Sequence, residues 1–191
     1  MAHLVVFCDA CILYPAPIRD LLMELALNDL LQLKWSHKVL NEWIDNLLEN
    51  RPDLSRERLE KTVAGMNNAL LDCLVEDYET MEAKLTLPDV DDRHVLAAAI
   101  VSKSKFIITA NLKDFPNKYL STFKIKACHP DDLFLRLANK NKESFAASVK
   151  SCYKKLRRPP QTLEQYILTL KDKCQLIKTA SFVEQNKSFF V

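Results

Sequence analysis

PDVDDRHVLAAAIVSKSKFIITANLKDFP, residues 88–116, reads as a helix, a turn and a strand in immediate succession. Pro88 and the acids after it mark the helix start, where proline is tolerated and the helix dipole favours negative charge. The alanine-rich apolar run that follows predicts the helix body. FIITA, residues 106–110, is short and β-branched, which predicts a buried strand. A helix feeding directly into an apolar strand is half of a β-α-β unit. The rest of the chain should therefore supply parallel partners.

Working outward, residues 3–8 predict a first strand, and PIRDLLMELALNDLL has apolar residues at helical spacing. LQLKW predicts a short second strand. Ser36 is placed to cap a helix through about residue 49, with Val39, Leu40, Trp43 and Leu47 on one face. Ser55 should cap a further helix. FKIKACH predicts a fourth strand, and PDDLFLRLAN a helix from Pro130. Strands alternating with helices give an α/β domain with a mostly parallel sheet. Beyond it, residues 142–174 predict two helices broken at Pro159-Pro160, with Thr162 capping the second. The polar stretch ANKNKE, 138–143, suggests a boundary: an α/β domain over 1–138 and a C-terminal helical extension over 139–191.

Composition narrows the function. The chain has 191 residues, 27 Lys/Arg, 25 Asp/Glu, six cysteines and one glycine. A phosphate-cradling loop needs glycines for close backbone approach, so a P-loop or dinucleotide fingerprint is excluded. No apolar run is long enough to cross a bilayer and no secretory signal is apparent, which leads us to expect a cytoplasmic protein with no membrane partner. Residues 1–130 carry 15 Lys/Arg against 19 Asp/Glu, and residues 131–191 carry 12 against 6. A mildly acidic body thus ends in a basic tail.

Cys8-Asp9-Ala10-Cys11 has redox-motif spacing, but an acid between the thiols would raise their pKa rather than lower it. A zinc site would need two more ligands, and Cys128-His129 supplies no second pair at metal spacing. The acids are the stronger candidates. Asp9 follows strand one and Asp114 follows FIITA, so two parallel strands deliver two carboxylates to the same sheet edge, where α/β folds bind ligands. Asp92 lies in line with the inward-facing Leu96 and Ala99 of its helix, and Glu42 borders the apolar stripe of its own. Converging carboxylates without thiol or imidazole partners suit Mg²⁺ or Mn²⁺. Such a site can activate water and neutralise a phosphodiester. The rival acid chemistry, glycoside hydrolysis, lacks the clustered aromatics a sugar cleft uses.

These motifs together resemble the PIN domain. VVFCDACILYP (5–15) resembles its opening, SHKVLNEW (36–43) its second acidic motif, and residues 88–116 its third and fourth. The resemblance implies a PIN-like three-layer α/β/α sandwich and a Mg²⁺- or Mn²⁺-dependent endoribonuclease. Asp9, Glu42, Asp92 and Asp114 would be the catalytic metal ligands. Thr109 and Asn111 would position Asp114 or the RNA phosphate. LRRPPQTLEQYILTL (156–170) is similar to the helical extension of one subgroup of VapC-type toxins. That implies an RNA substrate, a cognate antitoxin protein and room for a homodimer. The basic residues Lys154, Lys155, Arg157 and Arg158 would then meet RNA or the antitoxin, with Lys150, Lys154 and Arg157 or Arg158 on one helical face. The familiar Asp-Thr/Ser-Asn opening is Asp9-Ala10-Cys11 here, so a hydrogen bond supporting Asp9 is expected to be lost. That departure leaves a non-catalytic metal- or RNA-binding module as the alternative.

Overall fold

The computed structural model describes residues 4–157 and 159–190. The expected strand start at His3 and the basic residue Arg158 lie outside them. Strand β1 (Val5–Cys8) leads through Asp9 into the one-turn helix α1 (Ala10–Leu13), followed by α2 (Ala16–Leu27). Next come β2 (Gln32–Lys34), α3 (His37–Asn50), α4 (Arg56–Ala69) and the single turn α5 (Glu79–Glu82). Helix α6 (Arg93–Val101) feeds β3 (Phe106–Ile108), and a 3-10 turn at Leu112–Asp114 precedes α7 (Asn117–Leu120) and β4 (Lys126–Cys128). The chain ends in α8 (Pro130–Lys140), α9 (Lys142–Lys155), α10 (Leu163–Leu168) and α11 (Ile177–Gln185).

The four strands form one parallel sheet in the order β2-β1-β3-β4, with Phe7 paired to both Lys34 and Ile107. Val6, Phe7 and Cys8 are consecutive and all fully buried. Successive strand residues face opposite sides, so helices must cover both faces of β1. This is the α/β/α arrangement expected from the sequence. Strand order reverses between β1 and β3, which opens a crevice at their carboxyl ends.

Local capping explains several helix starts. The Ser36 hydroxyl accepts from Val39 N at 3.3 Å, and Ser55 does the same for Arg58 N at 3.4 Å. Thr162 and Gln165 form a reciprocal capping box. The helix expected from Pro88 starts instead at Arg93. Asp89 Oδ1 accepts from Asp91 N at 2.9 Å, which closes a local turn, and Asp92 occupies the N-cap position without a side-chain cap bond. The polar stretch at 138–143 does interrupt the chain, but α8 runs to Lys140 and Asn141 caps α9 through Ser144 N.

The C-terminal helices pack back onto the first half of the chain. Asn28 Nδ2, at the C-cap of α2, donates to Ser148 Oγ on α9 at 3.1 Å, and Lys155 pairs with Glu24. Helix α11, which the sequence pattern did not predict, is capped from a distance: Asp131, on α8, accepts from Lys178 N, Thr179 N and Thr179 Oγ1 at 2.9, 2.8 and 2.7 Å. Among the described residues no helix is long and apolar enough to cross a membrane.

Among the described residues, six non-glycine residues adopt positive φ: Asp29, Asp72, Asp77, Lys103, Lys124 and Gln175. The one glycine, Gly65, lies inside α4 instead, and a Cβ there would meet nothing within 4 Å. Gly65→Ala is therefore expected to stabilise the fold by about 1 kcal/mol through helix propensity. A thermal melt that fails to rise would contradict this.

Candidate active site

The end of β1 is fixed to its neighbour by main chain. Asp9 N donates to Ile108 O at 3.1 Å, and Thr109 N donates to Cys128 O at 3.1 Å. Asp9 and Thr109 thus stand side by side at the ends of the two central strands. The Thr109 hydroxyl donates to Asp9 Oδ2 at 2.7 Å and accepts from Asn111 N at 2.9 Å. Thr109 is fully buried and Asp9 is 6% exposed. The Thr109 hydroxyl thus serves Asp9 directly, and the chain of bonds continues through Asn111, whose carbonyl oxygen accepts from Asp114 N at 3.1 Å. Asn111 is exposed, and its backbone N–H closes the turn onto Thr109.

Cys11 also differs from expectation. Its thiol donates to the same Asp9 Oδ2 at 3.0 Å, while its sulfur accepts from Ala110 N at 3.4 Å. The support for Asp9 that the altered opening was expected to remove is therefore kept, by sulfur. Burial, and after it the Asp9 charge, pushes the Cys11 thiol up to about 12, so it stays a protonated donor. Burial drives Cys8 up as well, with Asp9 next. Neither thiol is disposed to redox attack, and all six cysteines are free.

Asp92 is brought to the same edge by the N-terminus of α6. Burial, then the charges of Asp9, Asp89 and Asp114, pushes its carboxyl up to about 7, while His94 pulls the other way. The charges of Asp9, Asp114 and Asp89 thus all bear on Asp92, Asp89 being an acid that the sequence pattern assigned only to the helix start. Of the adjacent Asp91 and Asp92, either of which the motif register could place at the site, Asp91 is exposed and Asp92 half-buried. Glu42 is engaged differently. Its Oε1 lies 2.9 Å from His94 Nε2 as an ion-pair contact, with the His94 side chain 1% exposed and the Glu42 side chain 37% exposed. His94 carried no spacing signal in the sequence beyond being a polar residue in an apolar helix.

The donor chemistry fits a hard divalent cation: the oxygens are carboxylate oxygens, partly buried and crowded. As they stand, no three His, Cys, Asp or Glu side chains among the described residues are disposed to hold an ion. The spacing is therefore not that of a closed coordination shell.

The expected basic face is only partly formed. Helix α9 ends at Lys155 and Leu156 is extended, so Arg157 leaves the helical register shared by Lys150 and Lys154. Lys154 and Arg157 are exposed, and Lys155 is the partner of Glu24.

Residues 5–113 match the family model described as a PIN domain. The chain belongs to the PIN-domain family. Asp9, Glu42 and Asp92 of this PIN-domain protein lie inside the match, and Asp114 follows its last residue. Residues 130–185 match a second model, the VapC50 C-terminal domain. A relative from Mycobacterium tuberculosis (strain ATCC 25618 / H37Rv), named "Putative ribonuclease VapC50", is 54% identical over 44 residues. Those residues are 23% of this chain and 26% of the relative, so the match spans about a quarter of each. No solved structure matches the chain.

Proposed function

We propose that this PIN-domain protein is a Mg²⁺- or Mn²⁺-dependent endoribonuclease, acting in the cytoplasm as the toxin of a type II pair held by a cognate antitoxin protein. This reading is supported by Asp9 standing at the strand-order reversal of the sheet, with the charges of Asp9 and Asp114 both bearing on Asp92. Crowded carboxylates repel one another, and a divalent cation offsets that repulsion. Asp9, Asp92 and Asp114 would hold the cation, with Glu42 reaching it from α3. A cation bound there supplies charge neutralisation at a phosphodiester and a more acidic water. Thr109 and Cys11 keep Asp9 in one orientation. The family match and the relative's printed name support ribonuclease chemistry over the other uses of a carboxylate cluster.

Millimolar Mg²⁺ or Mn²⁺ should raise the melting temperature. At a hundredfold excess over Kd the stabilisation is about 2.7 kcal/mol, or roughly 5–10 °C for a chain of this size. RNA cleavage should require the cation. Cleavage that survives exhaustive EDTA treatment would sink the metal mechanism. Metal-dependent stabilisation without any cleavage would favour a non-catalytic metal- or RNA-binding module.

The basic stretch gives a separate test. An acidic site repels RNA, so cationic surface elsewhere aids capture. Changing Lys154, Lys155, Arg157 and Arg158 together to serine should weaken RNA binding and flatten its salt dependence. The log–log slope should fall by about 0.7 for each phosphate that is no longer neutralised. An unchanged slope would remove RNA from the role of this stretch. Antitoxin affinity on the same variant would then show whether it serves that partner.

A further inference from the structure

Two turns at the amino edge of the sheet repeat one another. Helix α6 ends with Lys103 N donating to Ile100 O at 3.0 Å and Ser104 N to Ala99 O at 2.9 Å. The 3-10 turn Ser121–Phe123, after α7, ends with Lys124 N donating to Ser121 O at 3.0 Å and Ile125 N to Leu120 O at 3.2 Å. Each is a Schellman stop, with lysine at the left-handed position that glycine usually takes. Two residues on, each turn enters a strand through a second lysine, Lys105 just before β3 and Lys126 at the start of β4. Lys126 N donates to Lys105 O at 3.1 Å, so the two Lys-x-Lys turns are held side by side. All four lysines are exposed. No ion pair among the described residues engages any of them. Exposed Arg136, on α8, lies beside them, its guanidinium 5.4 Å from the ring centre of Phe106, which pairs in register with Lys126.

Lysine at a helix end suits the dipole, and lysine on an edge strand discourages pairing between sheets. Those effects account for Lys103, Lys124 and Lys126 one at a time. They do not reach Lys105, whose N–H and C=O are bonded to neighbours on both sides, nor the convergence of five cations on one edge. We propose that this edge docks the phosphate backbone of the RNA substrate. Lysine is depleted at protein interfaces, whereas phosphates are met by point charges on mobile stems, with release of counterions. Lys105 and Thr109 flank β3, about 13 Å apart at the rise of a strand, and Thr109 bonds to Asp9. One RNA strand can therefore lie on the lysines and reach the acids. This deepens the nuclease reading above, on which it rests: a cationic edge offsets the repulsion that the acids impose on the substrate.

The test uses the full chain in EDTA, so that binding is read without cleavage, and follows the anisotropy of a labelled oligouridine across a salt series. Lys103→Asn and Lys124→Asn remove charge and suit the left-handed turns, and Lys105→Gln and Lys126→Gln remove it from the strand entries. The fourfold variant should bind more weakly. Its log–log salt slope should fall by about 0.7 for each phosphate released, or roughly 2.8 for four lysines. A control changes Lys38, Lys61 and Lys84 to glutamine and should move the slope far less. If the fourfold variant folds poorly, Lys105→Gln with Lys126→Gln leaves both turns as they are and should show about half the change. An unchanged slope, or an equal loss per charge in the control, overturns the proposal while leaving the nuclease reading intact. Loss of binding to polyglutamate with RNA binding unaffected would mark a surface for acidic protein and overturn it too. A wild-type protein that neither binds oligouridine nor cleaves RNA overturns both readings.

Discussion

Asp9→Asn is expected to reduce RNA cleavage by well over a hundredfold, beyond the 10–100-fold typical of losing a group that only supports a ligand. The metal-free fold should survive. Asparagine keeps an oxygen that can accept from the Thr109 hydroxyl and the Cys11 thiol, which both serve Asp9 Oδ2. It also removes a negative charge that bears on Asp92. The melt without metal should therefore stay level or rise slightly, while the stabilisation by Mg²⁺ disappears. Two measurements check this: cleavage of RNA in Mg²⁺, and melts with and without the cation. A fall of more than about 5 °C in the metal-free melt, near 2 kcal/mol for this size, would mark Asp9 as a structural residue.

Asp131→Ala should have the largest effect on stability. Asp131 is 5% exposed and accepts three hydrogen bonds from the first turn of α11, so it acts as that helix's N-cap from another helix. Leu176, at the N-cap position in sequence, offers no side-chain bond. Alanine would leave buried donors unmatched and remove an anion from the positive end of a helix. We expect a loss of roughly 3–5 kcal/mol, or a melt lower by on the order of 10 °C. Asp131→Asn, which keeps one acceptor oxygen, should lose less. Limited proteolysis would check where the damage falls, with cleavage near residues 176–186 expected first. A melt equal to wild type would mean that α11 is held by its apolar contacts alone.

The sheet and its acids were legible because a parallel strand buried on both faces is a run of apolar residues, against which Asp9 and Asp114 stand out. Ser36, Ser55 and Thr162 announced their helices because their capping partners lie three residues away. Features that depend on distant partners were not legible. Helix α11 is capped by a residue 47 positions before Lys178, and Thr109 reaches Asp9 across 100 positions. His94 is one polar residue in an apolar helix, and only the fold shows that Glu42 meets it. The start of α6 was misplaced because Asp89 spends its oxygen on a turn, and acids placed for a turn and for a helix dipole look alike in sequence.

The residues described at positive φ have a thermodynamic counterpart in the chain when it is unfolded. A left-handed conformation costs a non-glycine residue about 1–2 kcal/mol, less where aspartate is used, as at Asp29, Asp72 and Asp77. The same scarcity of glycine that imposes this cost removes the most mobile backbone units from the denatured chain. Its random ensemble is narrower, so less entropy is surrendered on folding. Strain in the native turns and stiffness in the denatured state act in opposite directions. A glycine introduced at Lys103 or Lys124 would relax the first and forfeit the second, and the net gain in stability should fall short of the strain relieved.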